Sequence, residues 1–146
     1  MQAGIPHWID GKARDGQSGR YGAVFDPATG TQRARVAFAD SAEVDAAVAA
    51  ARAAFPAWRD TPITQRTQIL FRFRSAIEEA QEELAAVIAA EHGKTRPDAR
   101  GEVLRGLESV EFACGIAQLL KGENSVQVST GVDLASVREA LGVVGC

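Results

Sequence analysis

Hydrophobic and polar positions along the 146-residue chain change period twice, and the changes divide it into three parts. Residues 5–38 alternate in short runs, as half-buried strands do. His7-Trp8-Ile9 and Lys12-Ala13-Arg14 flank Asp10-Gly11, a pair suited to a two-residue type I′ hairpin. Tyr21–Phe25 and Thr31–Phe38 flank Asp-Pro-Ala-Thr-Gly at 26–30, where proline fixes φ and glycine permits φ > 0. In the second arm Ala34, Val36 and Phe38 alternate with Arg33 and Arg35.

From Asp40 the period becomes 3.6. Asp40 with Glu43 forms a capping-box pattern, and Val44, Ala47, Val48, Ala51, Ala54 and Phe55 make one stripe. Pro56 is expected to end or bend this helix, with Trp58 in the exit turn. Thr61-Pro62 reads as an N-cap followed by a first-turn proline. The next stripe runs Ile69, Leu70, Phe73, Ile77 and then Ala80, Leu84, Val87, Ile88. No Gly or Pro interrupts 63–92, so this is one helix or two with a soft joint near Glu78-Glu79. His92-Gly93 closes it. The longest helix is expected over Thr95–Leu120, capped by Thr95, with Asp98 reaching back and Lys121-Gly122 as its stop. Three interior glycines, Gly101, Gly106 and Gly115, would together cost about 3 kcal/mol relative to alanine.

After Gly122 the period returns to 2. Val126 and Val128 alternate with Gln127 and Ser129, Gly131-Val132-Asp133 reads as a turn, and Leu134–Arg138 resumes extended character. Such a sparse hairpin is marginal alone and is expected to pair outside its own domain. Leu141–Gly145 reads as the start of a new apolar strand. Because chain ends are normally polar and frayed, the expectation is of a truncated chain.

Composition narrows the classes. Sixteen Lys and Arg against nineteen Asp and Glu give a net charge of −3, so no electrostatic case exists for nucleic acid or anionic lipid. No apolar run is long enough to span a membrane, and Met1-Gln2-Ala3-Gly4 lacks the marks of a signal peptide. Two cysteines at 114 and 146 form neither a disulfide framework nor a metal set, and a cytoplasmic compartment is expected. Cys114 shares a helical face with Val103 and Leu107 and reads as a small core residue rather than a nucleophile. His92 reads as a cap and His7 likewise carries no catalytic partner. Glu78-Glu79 and Glu82-Glu83 read as solvated charge. Phosphate-binding, nucleophile-elbow and zinc motifs are absent. From residues alone the reading is a soluble α+β module belonging to something larger.

Four short motifs in one order extend it. Asp-Pro-Ala-Thr-Gly at 26–30, Ala-Ala-Phe-Pro-Ala-Trp at 53–58, Glu-His-Gly-Lys-Thr at 91–95 and Arg-x-x-Leu-Gly-Val-Val at 138–144 resemble the N-terminal part of the NAD-dependent aldehyde dehydrogenase superfamily. Asp98–Val103, Arg105-Gly106-x-Glu108 and Val110–Gly115 resemble its CoA-acylating methylmalonate-semialdehyde and malonate-semialdehyde dehydrogenase branch. Asp26 departs from the family's asparagine and Ala140 from its proline.

The resemblance implies an α/β fold, N-terminal portion only: β-hairpins, three or four α-helices, then a protruding β-hairpin. It divides the chain into 1–123 (part of the NAD-binding domain), 124–141 (oligomerisation hairpin) and 142–146 (start of the dinucleotide core). In such enzymes a cysteine thiolate attacks the semialdehyde, hydride passes to NAD, and CoA resolves the thioester with loss of CO2. The resemblance puts the catalytic groups beyond residue 146, so no catalytic, metal or cofactor residue is expected here, and neither NAD nor CoA is expected to bind this chain alone. A semialdehyde acid needs a fixed cation at its far carboxylate, for which Arg105 is the candidate, with Arg100 and Lys94 weaker. The competing reading pairs Arg105 with Glu102 or Glu108 along the helix. The expected partners are the semialdehyde and further copies of the chain through hairpin 124–139. The alternatives are a succinate-semialdehyde or betaine-aldehyde type enzyme and a non-catalytic interaction module.

Overall fold

The computed structural model describes residues 3–146. Met1 and Gln2, read above as part of a leaderless N-terminus, lie outside the described residues. The N-terminal strands are β1 (Ala3–Ile5), β2 (His7–Ile9), β3 (Lys12–Arg14), β4 (Tyr21–Phe25) and β5 (Gln32–Ala37). Both expected hairpins form. Asp10 and Gly11 take φ of 54° and 69°, as a type I′ turn requires, and pair Ile9 with Lys12. In the second turn Asp26 Oδ1 accepts from the N–H of Ala28 (2.8 Å) and Thr29 (3.2 Å), and Gly30 supplies φ of 71°. β1 was not anticipated: it pairs parallel with β5, giving the order β1-β5-β4. The alternation in β5 holds for Ala34 and Val36, then slips. Ala37 is buried, while Phe38 leaves the strand, half exposed, with its ring over Gly22.

Four long helices and one short one follow: α1 (Ser41–Asp60), α2 (Ile63–Glu79), α3 (Gln81–His92), α4 (Arg96–Cys114) and the single turn α5 (Ile116–Leu119). The Asp40–Glu43 capping box is complete in both directions. Pro56 neither ends α1 nor puts Trp58 beyond it. Thr61 satisfies the carbonyls of the last turn: its N–H donates to Trp58 O (3.2 Å) and its hydroxyl to Ala57 O (2.7 Å). The hydroxyl expected to cap α2 therefore serves α1. Pro62 is the N-cap of α2, with no side-chain cap bond, and its carbonyl accepts from Gln65 and Arg66. The soft joint falls at Ala80, where ψ opens to 9° between α2 and α3. Gly93 closes α3 in the left-handed conformation, φ 83°, donating to Ala89 O. Arg33 of β5 reaches the same terminus, donating to Ala90 O at 3.1 Å and so tying sheet to helices.

The expected 95–120 helix stops earlier. Gly115 donates back to Phe112 O, tightening the last turn, and α5 starts afresh, so Leu119 does not share a helix with Arg105. Lys121-Gly122 consequently does not cap α4. Thr95 accepts from the Asp98 N–H at 3.4 Å, but the Asp98 carboxylate meets the Thr95 hydroxyl (2.7 Å). Aspartate is one methylene shorter than the glutamate of a full box, which accounts for the missing return bond to the backbone.

The core sits where α3 crosses α4. Ala85 and Ala99 are essentially fully buried there with Val103, flanked by Ile77, Ile88 and Ala89. Two facing alanines allow close helix approach, and Leu107 and Cys114 continue the buried face toward α2. β6 (Asn124–Ser129) and β7 (Val132–Ala135) form the last hairpin around Thr130-Gly131. The strand thus resumes at Val132, earlier than the spacing indicated. Gln127, with φ 55°, interrupts the register, and its N–H donates to Asp133 Oδ1. Every residue from 121 to 140 is exposed. Leu141–Gly145 forms no strand: no neighbouring strand lies alongside it among the described residues.

Candidate functional site

The three cations named from the sequence lie on or beside α4 and differ in what already holds them. Lys94, just before the helix, is half-buried and pairs with Glu102. That hydrogen bond holds the Glu102 carboxyl below the usual glutamate range. Arg100 faces α3 and lies 3.5 Å from Glu82, which Arg96 also approaches at 3.8 Å. Arg105 makes no ion pair among the described residues, though Glu102 and Glu108 flank it. No ion pair joins Arg105 to Glu102 or Glu108 among the described residues: Lys94 takes the Glu102 carboxylate, and Arg105 lowers its pKa only at longer range.

Arg105 stands on the exposed face of α4 with Leu104 and Phe112, the latter 71% exposed. A Cβ built at Gly101 or Gly106 meets nothing within 4 Å beyond the helix's own backbone. The opposite face carries Val103, Leu107 and Cys114, all buried, so Cys114 is the small core residue expected of it. α4 is fixed against α2 by a cluster that sequence reading missed. Arg74 donates to Glu111 from Nε (3.0 Å) and Nη2 (2.9 Å), and its Nη1 pairs with Glu78. The two carboxylates raise the Arg74 guanidinium further above its ordinary value. Glu78 was read as solvated charge, and its i,i+4 spacing to Arg74 was the available signal.

Two clefts of about 600 Å3 open on the described residues. One, about 620 Å3, lies between the end of α1, the start of α2 and residues 138–142, and includes Arg59, Arg66, Arg138 and Glu139. The other, about 600 Å3, separates the β2–β3 hairpin from α1. Arg105 lines neither. The junction from β5 into α1 passes through Phe38-Ala39-Asp40 without glycine, and the Asp40 carboxylate accepts from the Glu43 N–H at the helix N-terminus. Among the described residues no group of His, Cys, Asp and Glu could hold a metal. Among the described residues no helix is long and apolar enough to cross a membrane.

A mixed α/β unit with short hairpins, a helical layer and a projecting two-stranded ribbon, matched over residues 13–146, belongs to the aldehyde dehydrogenase family. It is similar to malonate-semialdehyde dehydrogenase of Pseudomonas aeruginosa, 44% identical over 96% of this chain and 28% of that protein. It is also 43% identical to the mitochondrial acylating methylmalonate-semialdehyde dehydrogenase of Arabidopsis thaliana, over 98% of this chain and 24% of the relative. The crystal structure of a Sinorhizobium meliloti 1021 protein, described as a methylmalonate-semialdehyde dehydrogenase complexed with NAD, superposes with a TM-score of 0.94. It is 40% identical, over 97% of this chain and 29% of that one. The chain matches the N-terminal portion of these proteins and spans between 24% and 29% of their length.

Proposed function

We propose that the chain forms the N-terminal portion of an NAD-dependent, CoA-acylating methylmalonate- or malonate-semialdehyde dehydrogenase of valine or inositol catabolism, and that Arg105 binds the carboxylate of the semialdehyde. The observation that carries the role of Arg105 is its freedom from any ion pair among the described residues, beside two candidates that are engaged. An arginine with no partner on an open helix face keeps its planar fork available for two parallel hydrogen bonds to a carboxylate. Gly106 beside it leaves room for a ligand to come close to the helix. Arg105 lines neither of the two clefts described above, and in this reading the remaining walls of the substrate site come from other polypeptide.

Residues 1–123 are assigned to the NAD-binding domain, 124–141 to the oligomerisation hairpin and 142–146 to the start of the dinucleotide core. Uniform exposure of residues 121–140 supports assembly of copies through that hairpin. Two free thiols suit the reducing cytoplasm in which we place it. The nucleophile and cofactor site lie outside these residues, so the chain alone should not reduce NAD. In a full-length relative, leucine at the position equivalent to Arg105 should raise KM for the semialdehyde acid at least tenfold and leave an uncharged aldehyde nearly unaffected. Equal effects on both substrates would remove Arg105 from the carboxylate site.

A further inference from the structure

Folded monomers of 15.5 kDa expose about 7,200 Å2 by the usual scaling of surface with mass. This chain exposes 10912 Å2. The excess of about 3,700 Å2 is the size of an obligate subunit interface rather than of a transient one. Two neighbouring features concentrate it. α1 carries a continuous apolar stripe over 20 residues, yet none of those residues is buried. Alongside it Gly142–Val144 approach Ala51, Ala54, Phe55 and Trp58, leaving a shallow groove of about 280 Å3. Leu141 is 96% exposed, and among the described residues no backbone–backbone hydrogen bond involves residues 137–146.

The run Leu141-Gly142-Val143-Val144 does not alternate. An unalternated Val- and Leu-rich run is the pattern of a parallel strand covered on both faces, with a helix across one of them. α1 is placed to be that helix, and a sheet edge is what is missing. A second copy fits poorly, because a two-fold axis pairs identical runs antiparallel, where alternation is expected.

We propose that the apolar face of α1 and the Leu141–Val144 run form one docking surface, and that its occupant is a polypeptide carrying the parallel β-sheet of the aldehyde dehydrogenase fold. Its sheet edge takes Leu141–Val144 as an additional strand and its adjoining face covers α1. The occupant corresponds to the roughly three-quarters of the relatives' length that this chain does not span. The surface accepts it whether it is continuous with this chain or separate from it. The inference rests on family membership and not on the substrate reading, so its test involves no substrate.

The test co-expresses this chain with the tagged remainder of the Pseudomonas aeruginosa relative, lacking its own matched N-terminal portion. The two should purify in 1:1 ratio. Hydrogen exchange at α1 and residues 141–146 should slow at least tenfold against the chain alone, with α3 and α4 unchanged. Val48→Asp combined with Val144→Asp should abolish the complex without altering the circular dichroism of the chain, whereas Phe71→Asp on α2 should leave it intact. Failure of the two polypeptides to associate, or a complex indifferent to the double substitution, overturns the proposal. So does an isolated chain that sediments as a compact dimer, or one whose α1 amides are as protected as those of α4.

Discussion

α1 and α4 are 20 and 19 residues long, both begin at a side-chain N-cap, and both carry an apolar face. α4 buries Ala99, Val103, Leu107 and Cys114, whereas α1 buries nothing. The stripe on α1 is the cleaner of the two by spacing, so amphipathic pattern does not account for the difference. What α4 has is a partner within the chain: α3 brings Ala85 against Ala99, two small residues that let the helices approach closely. α1 is held at its first turn by Asp40, Glu43 and Gln17 and touches β2, while the rest of its stripe faces outward. A periodic apolar face states that a helix needs cover. It does not state which polypeptide supplies it.

The largest expected effect tests that contrast directly. Leu107→Ala should cost about 2–4 kcal/mol, since a buried leucine leaves a cavity that packed helices only partly close. Val48→Ala on the stripe of α1 should change stability by no more than about 0.5 kcal/mol, because the side chain is already 38% exposed. Urea unfolding followed by circular dichroism measures both. Comparable losses would mean that α1 is covered in the isolated chain.

Where local rules decide, the sequence was legible. Asp10-Gly11, Asp40 with Glu43, and His92-Gly93 each act through a few adjacent backbone atoms, and each sits where spacing put it. Errors arose where a signal has two uses. Thr61 could cap the helix on either side, and its hydroxyl satisfies α1. Gly115 could lie inside a helix or end one, and it ends α4. β1 was invisible because three residues carry no period and its partner β5 lies some thirty residues away. At the candidate site, Arg105 was readable as a choice between a ligand-binding and an ion-paired arginine. What spacing could not announce is that Lys94 reaches Glu102 from eight residues away, leaving Arg105 without an ion pair among the described residues.

A second test weakens the fixed end of α1. Asp40→Ala removes the N-cap oxygen that accepts from Glu43 N–H at 2.9 Å and should cost about 1 kcal/mol. The loss should appear as faster hydrogen exchange in the first two turns of α1, with α4 unaffected. Acid should act on the same end. The Asp40 N–H, and after it the Gln17 N–H, hold the Glu43 carboxyl below its ordinary value of 4.5. A depressed carboxylate contributes stability that is complete above that value and disappears as pH falls through the lowered one. Exchange at the start of α1 should therefore be constant from neutrality to about pH 5, once corrected for intrinsic rates, and rise below pH 4. In Glu43→Gln that rise should be absent.

The smallest effects concern glycines on the open face of α4. Gly101 and Gly106 are helical, have φ < 0, and leave more than 4 Å of space where a Cβ would stand. Nothing inside the chain requires glycine at either site. Alanine should therefore stabilise the isolated chain by about 0.5–1 kcal/mol per substitution, by helix propensity and by restricting the unfolded state. The same change in a full-length relative has a different expectation at 106. If a ligand comes close to the helix beside Arg105, a methyl group at the position of Gly106 should weaken semialdehyde binding while still raising thermal stability. A Gly106→Ala equivalent that gains stability and keeps KM unchanged would show that the glycine is not there for substrate. Gly101→Ala, one turn away, is the internal control: it should add stability in both settings and leave KM alone. Opposite signs on stability and binding at 106, against a single sign at 101, would separate what this helix contributes to its own fold from what it contributes to a site completed elsewhere.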